Sequence, residues 1–565
     1  MTLRFLAAAG SETALEQAAI KLADAPLSAC ATLGGILRIW TFPGTPMLFG
    51  PKRSRALVGR LVDPSTGTLH CALPPSNSPD RILCEHWGSY VLFEAQEDGH
   101  CLLRDPSGAI PVYCARSGGL DLYASDFEAL TLLLPPPYRP DAGFIAHWLA
   151  YPFLRTARTG IAGVSELLPG MLRAKGPGSE RTTLAWDPFR TRTDANRPDL
   201  FAAAADRLRE VALETIPALA RDCEPLALQL SGGLDSSIVA ACLSAAGRRF
   251  RAVTFATLGD DGDERPYARM VAGHFEVALA ELVEAKPTPL ADAFGEPSLR
   301  PRPNALLQPL HRAIARELLL AGTGVVADGA GGDNVFAFLN TATPALDALW
   351  ARGPRAAVRT LQQLAEVHCC TFWRAAGFAA RRLLRRSGPW PKDVRFLGGA
   401  VPRAPDDHPW LLAASNQPVG TKDHMRMIVG IHHFLADPAP NCPETLHPLL
   451  AQPLLELCLA IPTWLWVHGG RDRAVARAAF ADLLPSEILE RRGKGRLESM
   501  FVRGYMTLRS DLADLLLEGR LNALGLLDQE SVRAYLEQPG EPQDSGYVRL
   551  LEMASAEQWL RSFEE

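Results

Sequence analysis

Residues 226–237 read LALQLSGGLDSS, an apolar strand followed by a glycine-rich turn and the start of a helical run. Glycines let the backbone approach a ligand closely, and the N–H groups of such a turn form an anion site with the helix N-terminus behind it. The hydroxyls of Ser231, Ser236 and Ser237 add hydrogen-bond donors. The segment therefore predicts a phosphate-binding loop, and an ordinary strand-to-helix turn is the structural alternative.

This loop differs from the Walker phosphate loop, which needs Gly-Lys-Ser/Thr after four spacer residues. Asp235 stands where a phosphate loop is otherwise wholly positive. A carboxylate there is explained if it holds Mg²⁺ against a pyrophosphate, because Mg²⁺ is usually bound by one or two carboxylates together with substrate phosphates.

A second acidic loop, DGAGGD at residues 328–333, also follows an apolar segment. In an open parallel sheet, ligands bind outside the carboxyl ends of the strands, so two loops in this position can face the same nucleotide. We therefore expect Asp235 and Asp333 to share one or two Mg²⁺ ions. A plain turn or helix-cap residue is the alternative for Asp333, since Asp is common at helix N-caps.

Strand and helix patterns alternate around these loops, which is typical of a parallel sheet covered by helices. The predicted strands and helices of this part are strands 226–230, 250–256, 277–283 and 324–327, and helices over 200–218, from 236, from 264 and over 306–320. The pattern predicts an α/β domain over residues 200–565.

The first third of the chain has a different pattern, with short strands separated by turn residues. The predicted strands are 36–42, 84–93, 99–103, 112–115 and 120–124. The polar segment 191–199 shows no apolar periodicity and reads as a linker. We therefore predict a β-rich domain over residues 1–190, joined to the α/β domain through that linker.

Composition excludes several classes of protein. The 565 residues include 58 Lys plus Arg against 63 Asp plus Glu, so the net charge of -5 argues against general nucleic-acid binding. The 11 Cys contain no C-x-x-C pair, which favours reduced thiols in a cytoplasmic protein over a zinc ribbon. No run of about 20 apolar residues predicts a membrane span.

The two loops resemble those of the asparagine synthetase-like, ATP-pyrophosphatase amidotransferases. Further matches to that family are RDPSG at 104–108, LPG at 168–170, WDP at 186–188 and DERPYA at 263–268. The resemblance implies an N-terminal glutaminase-like (Ntn) sandwich and a C-terminal doubly wound parallel-sheet ATP-pyrophosphatase domain with extra helices. It also implies that ATP and Mg²⁺ are used to adenylate a carboxylate, whose acyl group then passes to an amine.

The same resemblance assigns site residues. Asp235 and Asp333 are the implied metal ligands. The implied ATP- and pyrophosphate-binding residues are Leu230, Ser231, Gly232, Gly233, Asp235, Ser236, Ser237, Phe255, Asp328 and Gly329.

Two departures from the family concern the source of the amine. Asparagine synthetases carry a Cys after Met1 that hydrolyses glutamine, whereas this chain has Thr2. A terminal Thr can act as a nucleophile, but we expect an inactive glutaminase-like domain and an amine carried by the substrate. Ala330 occupies a position that often holds an acidic or phenolic side chain, which a peptide α-amine with a pKa of about 8 does not need.

The C-terminal third resembles the macrolactam synthetases of lasso-peptide biosynthesis, the lasso cyclases. The motifs are HPLLAQPL at 447–454, GGRDR at 469–473 and RRGKG at 491–495. Asparagine synthetases usually have Pro-Phe-Leu-Asp where this chain has Pro448 to Ala451. The resemblance implies a leader-trimmed core peptide as substrate, with a leader peptidase and a leader-recognition protein as companions.

Lys494 is the predicted catalytic residue. It lies between two glycines and is one of only 7 lysines among the 58 basic residues. By resemblance it stabilises charge on the α-phosphate during adenylation and on the oxyanion during amide formation. A solvated surface lysine is the alternative.

Other signals have structural interpretations that we favour. His432 and His433 and the pair Trp464 and Trp466 are expected to be structural, although the tryptophans could line a peptide channel. The basic stretch 374–386 is expected to be a solvated face over a buried apolar stripe, with a partner surface as the alternative. The alternatives for the whole chain are an asparagine synthetase, another small-molecule amide or β-lactam synthetase, or a non-catalytic scaffold.

Overall fold

A computed structural model describes residues 2–50, 53–75, 78–191, 193, 197, 199–256, 262–283, 297–303, 307–384, 388, 390–399, 401–435, 442–493, 495 and 498–563. The predictions for Lys494 and for Arg385 and Arg386 of the basic stretch fall outside these residues. Within them, no helix is both long and apolar enough to cross a membrane.

The first 184 residues form two antiparallel six-stranded sheets, with strand orders β10-β8-β9-β1-β3-β2 and β12-β11-β7-β6-β5-β4. Their strands are β1 Phe5–Ala9, β2 Ala29–Leu33, β3 Leu37–Thr41, β4 Met47–Phe49, β5 Arg55–Val62, β6 Trp87–Gln96, β7 Gly99–Arg104, β8 Tyr113–Ser117, β9 Leu120–Ala124, β10 Ser165–Glu166, β11 Met171–Gly176 and β12 Ser179–Leu184. The helices of this part are α1 Glu12–Lys21, α2 Pro79–Glu85, α3 Phe127–Thr131 and α4 Ala142–Ala150.

The two sheets pack face to face. One buried apolar cluster contains side chains of both, and the rings of Phe5 and Phe93 meet across the interface at 5.4 Å in an edge-to-face contact. The predicted strand 84–93 begins too early, because Pro79 and Asp80 favour a helix start and α2 continues to Glu85.

A five-stranded, wholly parallel sheet follows, with strand order β15-β14-β13-β16-β17. Its elements are α5 Leu200–Leu219, β13 Leu226–Gln229, α6 Leu234–Ala245, β14 Phe250–Ala256, α7 Arg265–His274, β15 Leu279–Val283, α8 Gln308–Leu320, β16 Val325–Ala327 and β17 Glu444–Leu446. The chain builds outward from β13 in one direction and then from β16 in the other. The loops after β13 and β16 therefore flank the point where the strand order reverses, which is where such sheets bind ligands.

The rest of the chain is helical. Its helices are α9 Gly332–Val335, α10 Thr343–Arg352, α11 Pro354–Val367, α12 Phe372–Leu384, α13 Pro409–Ala413, α14 Val419–Ile431, α15 Gln452–Ala460, α16 Ala474–Ala479, α17 Ser486–Glu490, α18 Glu498–Leu517, α19 Arg520–Ala523, α20 Gln529–Leu536 and α21 Gly546–Arg561, with 3-10 segments at Ala414–Asn416, Pro448–Leu450 and Thr463–Gly470. Side chains of α18 and α21 share a buried cluster with β1, β9 and α4. The C-terminal helices thus cover the outer face of the first antiparallel sheet. The α/β prediction is confirmed at the level of a mixed chain with several sheets.

A buried ion cluster, the junction cluster, joins the two parts of the molecule. The carboxylate of Glu166 is fully buried and accepts hydrogen bonds from Arg104 Nη1 at 2.8 Å, from Arg155 Nε at 2.9 Å and from Arg300. Arg155 also donates to the backbone carbonyl of His432, just after α14. Burial alone raises the pKa of Glu166, but the three guanidinium groups together hold it far below its ordinary value.

The motifs with a structural interpretation differ in how deeply they are buried. Trp466 is fully buried, whereas Trp464 is only partly buried. His432 is buried and His433 is half-buried, and loss of solvation lowers the pKa of both rings, to about 3 for His433. The expectation for α12 is wrong in part, because its buried side chains are Ala375 and Ala379 while its large apolar ones are exposed, namely Trp373, Phe378, Leu383 and Leu384.

Candidate active site

The first loop begins where β13 ends. Leu230 is buried and its N–H donates to the carbonyl of Val253 at 2.8 Å, which fixes the exit of the strand. Gly232 has a left-handed φ of +67°, and a Cβ atom there would lie 2.5 Å from the backbone carbonyl carbon of Tyr267. Only glycine fits this turn, and α6 starts two residues later.

Hydroxyl groups line the turn. The Ser231 and Ser236 hydroxyl oxygens are 3.2 Å apart, and the Gly233 N–H donates to Ser231 Oγ, also at 3.2 Å. The Ser237 hydroxyl is buried, and no hydrogen-bond partner for it is found in the part of the chain that the structure describes. The turn and the first turn of the 12-residue helix α6 together can bind an anion through N–H and O–H donors.

The second loop packs directly on the first. A Cβ atom on Gly329 would lie 2.6 Å from the backbone nitrogen of Ser236, and one on Gly332 would overlap the Asp235 carboxylate. Gly331 has a φ of +85° and faces Leu450. Gly329 and Gly332 thus allow the end of β16 to approach the start of α6 at a distance that any side chain would prevent, and Gly331 allows the same loop to approach Leu450.

Arg473 joins the two predicted metal ligands. Its Nη1 atom lies 3.1 and 3.2 Å from the two carboxylate oxygens of Asp235 and 2.6 Å from Asp333 Oδ1. Burial lowers the pKa of Arg473, but Asp235 and Asp333 outweigh that effect and raise it. Arg473 also has a left-handed φ of +48°, a conformation that is costly for a residue with a side chain.

The two carboxylates fit a divalent cation. Both are aimed at one point, and in this structure a guanidinium nitrogen carries the positive charge there. Among the described residues there is no group of three or more metal-ligating side chains. Asp235 and Asp333 therefore match the way Mg²⁺ is usually held, by one or two carboxylates with phosphate oxygens completing the shell.

The Asp328 carboxylate forms hydrogen bonds within the protein. Its Oδ1 lies 2.9 Å from His447 Nδ1 and accepts the Ala330 N–H at 3.0 Å. Burial lowers the pKa of His447, but the Asp328 carboxylate outweighs it and raises that pKa. Because His447 directly follows β17, this pair ties the second loop to the edge strand of the sheet.

Phe255 is the remaining predicted site residue that the structure describes, and it lies at the same edge. Phe255 is half-buried near the carboxyl end of β14. The neighbour of Lys494, Gly495, donates its N–H to Glu264 Oε1 at 3.0 Å. Thr2 lies elsewhere, and its hydroxyl donates to the carbonyl of Cys442 at 3.0 Å, two residues before β17.

Sequence reasoning missed the roles of Arg473, His447 and Glu264, although all three lie in motifs that it singled out. Arg473 comes 238 residues after Asp235 in the chain, so only the folded structure shows that they meet. A positive φ at an arginine gives no signal in the sequence, because the residue type does not favour that conformation. For Arg473, the indication that the sequence offers is the GGRDR motif at 469–473.

Comparisons with known proteins give one family match. The model of a family described as asparagine synthase matches residues 207–561. A comparison with curated proteins finds no match. Two of the similar solved structures are an allosteric regulatory enzyme of purine biosynthesis (11% identity, 51% of this chain and 81% of that chain, TM-score 0.22) and the B. subtilis glutamine phosphoribosylpyrophosphate amidotransferase with ADP and GMP (12%, 51%, 82%, 0.22). These TM-scores are too low to indicate a shared fold.

Proposed function

The chain belongs to the asparagine synthase family, whose members are ATP-dependent, AMP-forming carbon–nitrogen ligases, and from that premise we propose that it is a lasso-peptide cyclase. Its substrate is a leader-trimmed core peptide. The enzyme adenylates an Asp or Glu side chain of that peptide and joins it to the peptide's own N-terminal amine. The product is an isopeptide macrolactam.

The observation that carries the ligase activity is the convergence of Asp235 and Asp333 beside a loop rich in N–H and O–H donors. Residues 231–237 bind the β- and γ-phosphates, which leave together as pyrophosphate. Asp235 and Asp333 would hold Mg²⁺, which when bound would neutralise charge on the phosphates. Leu230, Phe255, Asp328 and Gly329 complete the nucleotide site.

The reaction proceeds in two steps, adenylation and amide formation. A side-chain carboxylate oxygen attacks the α-phosphorus, the bond to the bridging oxygen breaks, and pyrophosphate leaves. The neutral α-amine then attacks the acyl carbon, AMP leaves and the amine releases a proton. Lys494 stabilises the α-phosphate and then the tetrahedral oxyanion, and one such preorganised cation contributes about 3–4 kcal/mol.

The N-terminal part supports an amine supplied by the substrate. We assign its two stacked antiparallel sheets to a glutaminase-like (Ntn) sandwich that has lost activity. Thr2 replaces the usual cysteine, and its hydroxyl donates to the Cys442 carbonyl. An enzyme without a glutaminase thiol needs another source of nitrogen, and a peptide α-amine meets that need.

The segment after β17 supports a substrate other than aspartate. Ala451 takes the place of an Asp usual in asparagine synthetases, and it lies in an apolar cluster with Val62, Trp87 and Leu219. A carboxylate in that cluster would be buried without compensation. The alternative is amide synthesis from free ammonia, with which family membership is equally consistent.

Pyrophosphate release and product mass on one set of substrates test the proposal. With a leader-trimmed peptide bearing Asp or Glu several residues from its amino end, we expect a product lighter by one water, with one AMP and one pyrophosphate formed. Lys494→Ala should lose this activity. An N-acetylated peptide is the matched control, because it keeps the carboxylate but lacks the nucleophile and should give no ring.

Turnover with aspartate and ammonia, together with none on candidate peptides, would contradict the cyclase proposal and favour an asparagine synthetase. A companion leader peptidase, a leader-recognition protein and a cytoplasmic location complete the proposal. Each follows from the need to present a trimmed peptide to a nucleotide-dependent enzyme.

A further inference from the structure

Glu264 connects the pyrophosphate loop to the chain on both sides of residues 492–494. It directly precedes α7, and one oxygen of its carboxylate, Oε1, accepts two hydrogen bonds. Arg491 Nη2 donates to it at 2.9 Å and the backbone N–H of Gly495 donates at 3.0 Å. The side chains of Glu264 and Arg491 are only 15% and 10% exposed, so water competes weakly for this ion pair.

Arg491 extends the connection to the loop itself. Its guanidinium lies 3.9 Å from the centre of the Tyr267 ring, and its Nη1 donates to the carbonyl of Gly232 at 3.3 Å. Gly232 is the residue whose left-handed turn shapes the phosphate loop. Charge, stacking and a backbone hydrogen bond therefore fix Arg491 at the edge of the site.

Gly495 is adapted to the same contact. A Cβ atom there would lie 2.5 Å from Glu264 Cγ, so only glycine lets the N–H approach the carboxylate this closely. The adjacent charges do not compete for Glu264, because Arg265 is paired with Asp263 at 2.8 Å. Glu264 is thus directed toward the 491–495 segment.

We infer that Glu264 is a positioning residue that anchors Arg491 and Gly495 beside the pyrophosphate loop, an inference that rests on the proposed function for the role of Lys494. Lys494 is bonded to Gly495 in the chain, so anchors at Arg491 and Gly495 restrict the distance that its long side chain must span to reach the phosphates. The expected benefit is catalytic preorganisation, and a displacement of about 1 Å in such a group can cost 10²-fold in rate.

The experiment compares Glu264→Ala, Glu264→Gln and the control Glu281→Gln, which removes an ion pair with Arg269 on the other side of the same helix. Two properties are measured in each variant. The first is the rate of tryptic cleavage at residues 491–496 of the native full-length chain without substrate. The second is kcat and the KM for ATP in the ligase assay.

We expect Glu264→Ala to be cleaved about 10-fold faster and to lose about 10- to 100-fold in kcat, with the KM for ATP within about 3-fold of wild type. Glu264→Gln should fall between, because its amide oxygen still accepts the Gly495 N–H but no longer pairs with the charge of Arg491. The control should match wild type in both properties. Arg491→Gln, which keeps Glu264 but removes one tryptic site, should reproduce the faster cleavage after Lys494 and Arg496, sites left intact in all variants, if Glu264→Ala does not fold.

Unchanged cleavage in Glu264→Ala or in Arg491→Gln overturns the anchor, whatever the ligase assay gives. A rise in the KM for ATP at constant kcat also overturns it, because Glu264 would then act in nucleotide binding. Faster cleavage in a chain whose wild type makes no amide supports the anchor and contradicts the proposed function. The two failures are therefore distinguishable.

Discussion

The nucleotide edge is formed by residues 230–237, 328–333 and Arg473, and the junction cluster is centred on Glu166. Both regions contain several charged side chains, but the charges are neutralised in different ways. At the edge, two aspartates face one arginine nitrogen, and the Asp333 side chain is 32% exposed. At the junction, one fully buried carboxylate is bound by three arginines. One carboxylate at the edge stays partly exposed, whereas the carboxylate at the junction is enclosed by the protein.

This difference between the two regions indicates which residues determine function and which determine stability. A phosphate site uses backbone N–H groups of one short turn, so its residues are neighbours in sequence. The junction cluster combines residues 104, 155, 166 and 300, which only the complete fold brings together. We therefore expect substitutions at the edge to reduce activity and substitutions at the junction to reduce stability.

Glu166→Gln should give the largest effect on stability. Removing the carboxylate leaves three buried guanidinium groups without their shared partner, and breaking such a buried pair costs about 3–5 kcal/mol. Chemical denaturation measures this loss. Glu180→Gln, which removes the partly exposed partner of Arg173, is the control and should cost no more than about 1 kcal/mol.

The loss should also depend on pH. The pKa of Glu166 is lowered in the folded state, so its stabilising effect is present above the ordinary Glu pKa of about 4.5 and disappears as the pH falls through the folded-state pKa. The difference between wild type and Glu166→Gln should therefore narrow in acid. A difference of the same size at every pH would contradict the charge-based account of the junction.

Asp333→Asn, at the nucleotide edge, should reduce activity with little change in stability, the opposite of Glu166→Gln. Arg473 keeps Asp235 as a partner, so the free energy of unfolding should change by less than about 1 kcal/mol. Amide formation should fall by about 10²- to 10³-fold, because the Mg²⁺-dependent binding of phosphates loses a ligand. Mg²⁺ titration by calorimetry with a non-hydrolysable ATP analogue provides a second readout. A large loss of stability with normal activity would remove the distinction between the two regions.

Ala451→Asp tests the contact between the start of α15 and the N-terminal sheets. The new carboxylate would enter the apolar cluster of Val62 and Trp87, at a cost of roughly 2 kcal/mol or more. Thermal unfolding of Ala451→Asp and Ala451→Ser separates charge from polarity, since serine adds a polar atom without a charge. Equal stability of Ala451→Asp and wild type would show that the site tolerates the residue usual in asparagine synthetases.

Among the substitutions expected to reduce stability, His447→Gln should have the smallest effect, about 1.5 kcal/mol, which is at the low end of the usual contribution of a hydrogen bond to a charged group. The pKa of His447 is raised in the folded state, so the stabilisation is full below about pH 6.5 and is lost as the pH rises through that raised value. Unfolding measured across that range, with His274→Gln as the exposed control, tests it. A difference that grows with pH would contradict the ion pair with Asp328.

Much of the nucleotide edge can be read from the sequence. The predicted strand 250–256 is β14 without any change, and the predicted helix 200–218 is α5 to within one residue. Both have strong local periodicity. The glycines at 232, 329 and 332 also lie in the motifs that predicted two loops facing the same nucleotide, although their contact with each other is seen only in the structure.

The parts that sequence reasoning missed depend on contacts between distant residues. Arg473 meets Asp235 and Asp333 from 238 and 140 residues away. Glu166 meets Arg104 and Arg300 from 62 and 134 residues away. The covering of the first antiparallel sheet by α18 and α21 has the same origin. The prediction for α12 is wrong in part because an amphipathic period does not specify which side of a helix meets the core. Here the side that carries Ala375 and Ala379 is buried.

The fate of the ATP phosphates tests the central claim most directly, namely that the nucleotide edge adenylates a carboxylate. ATP labelled at the α- or the γ-phosphate would be incubated with the trimmed peptide and with wild type or Asp333→Asn. The account predicts one α-labelled AMP and one γ-labelled pyrophosphate for each amide formed by wild type, and a loss of both products in the variant. Formation of ADP and phosphate, or ATP cleavage unchanged in Asp333→Asn, would contradict it.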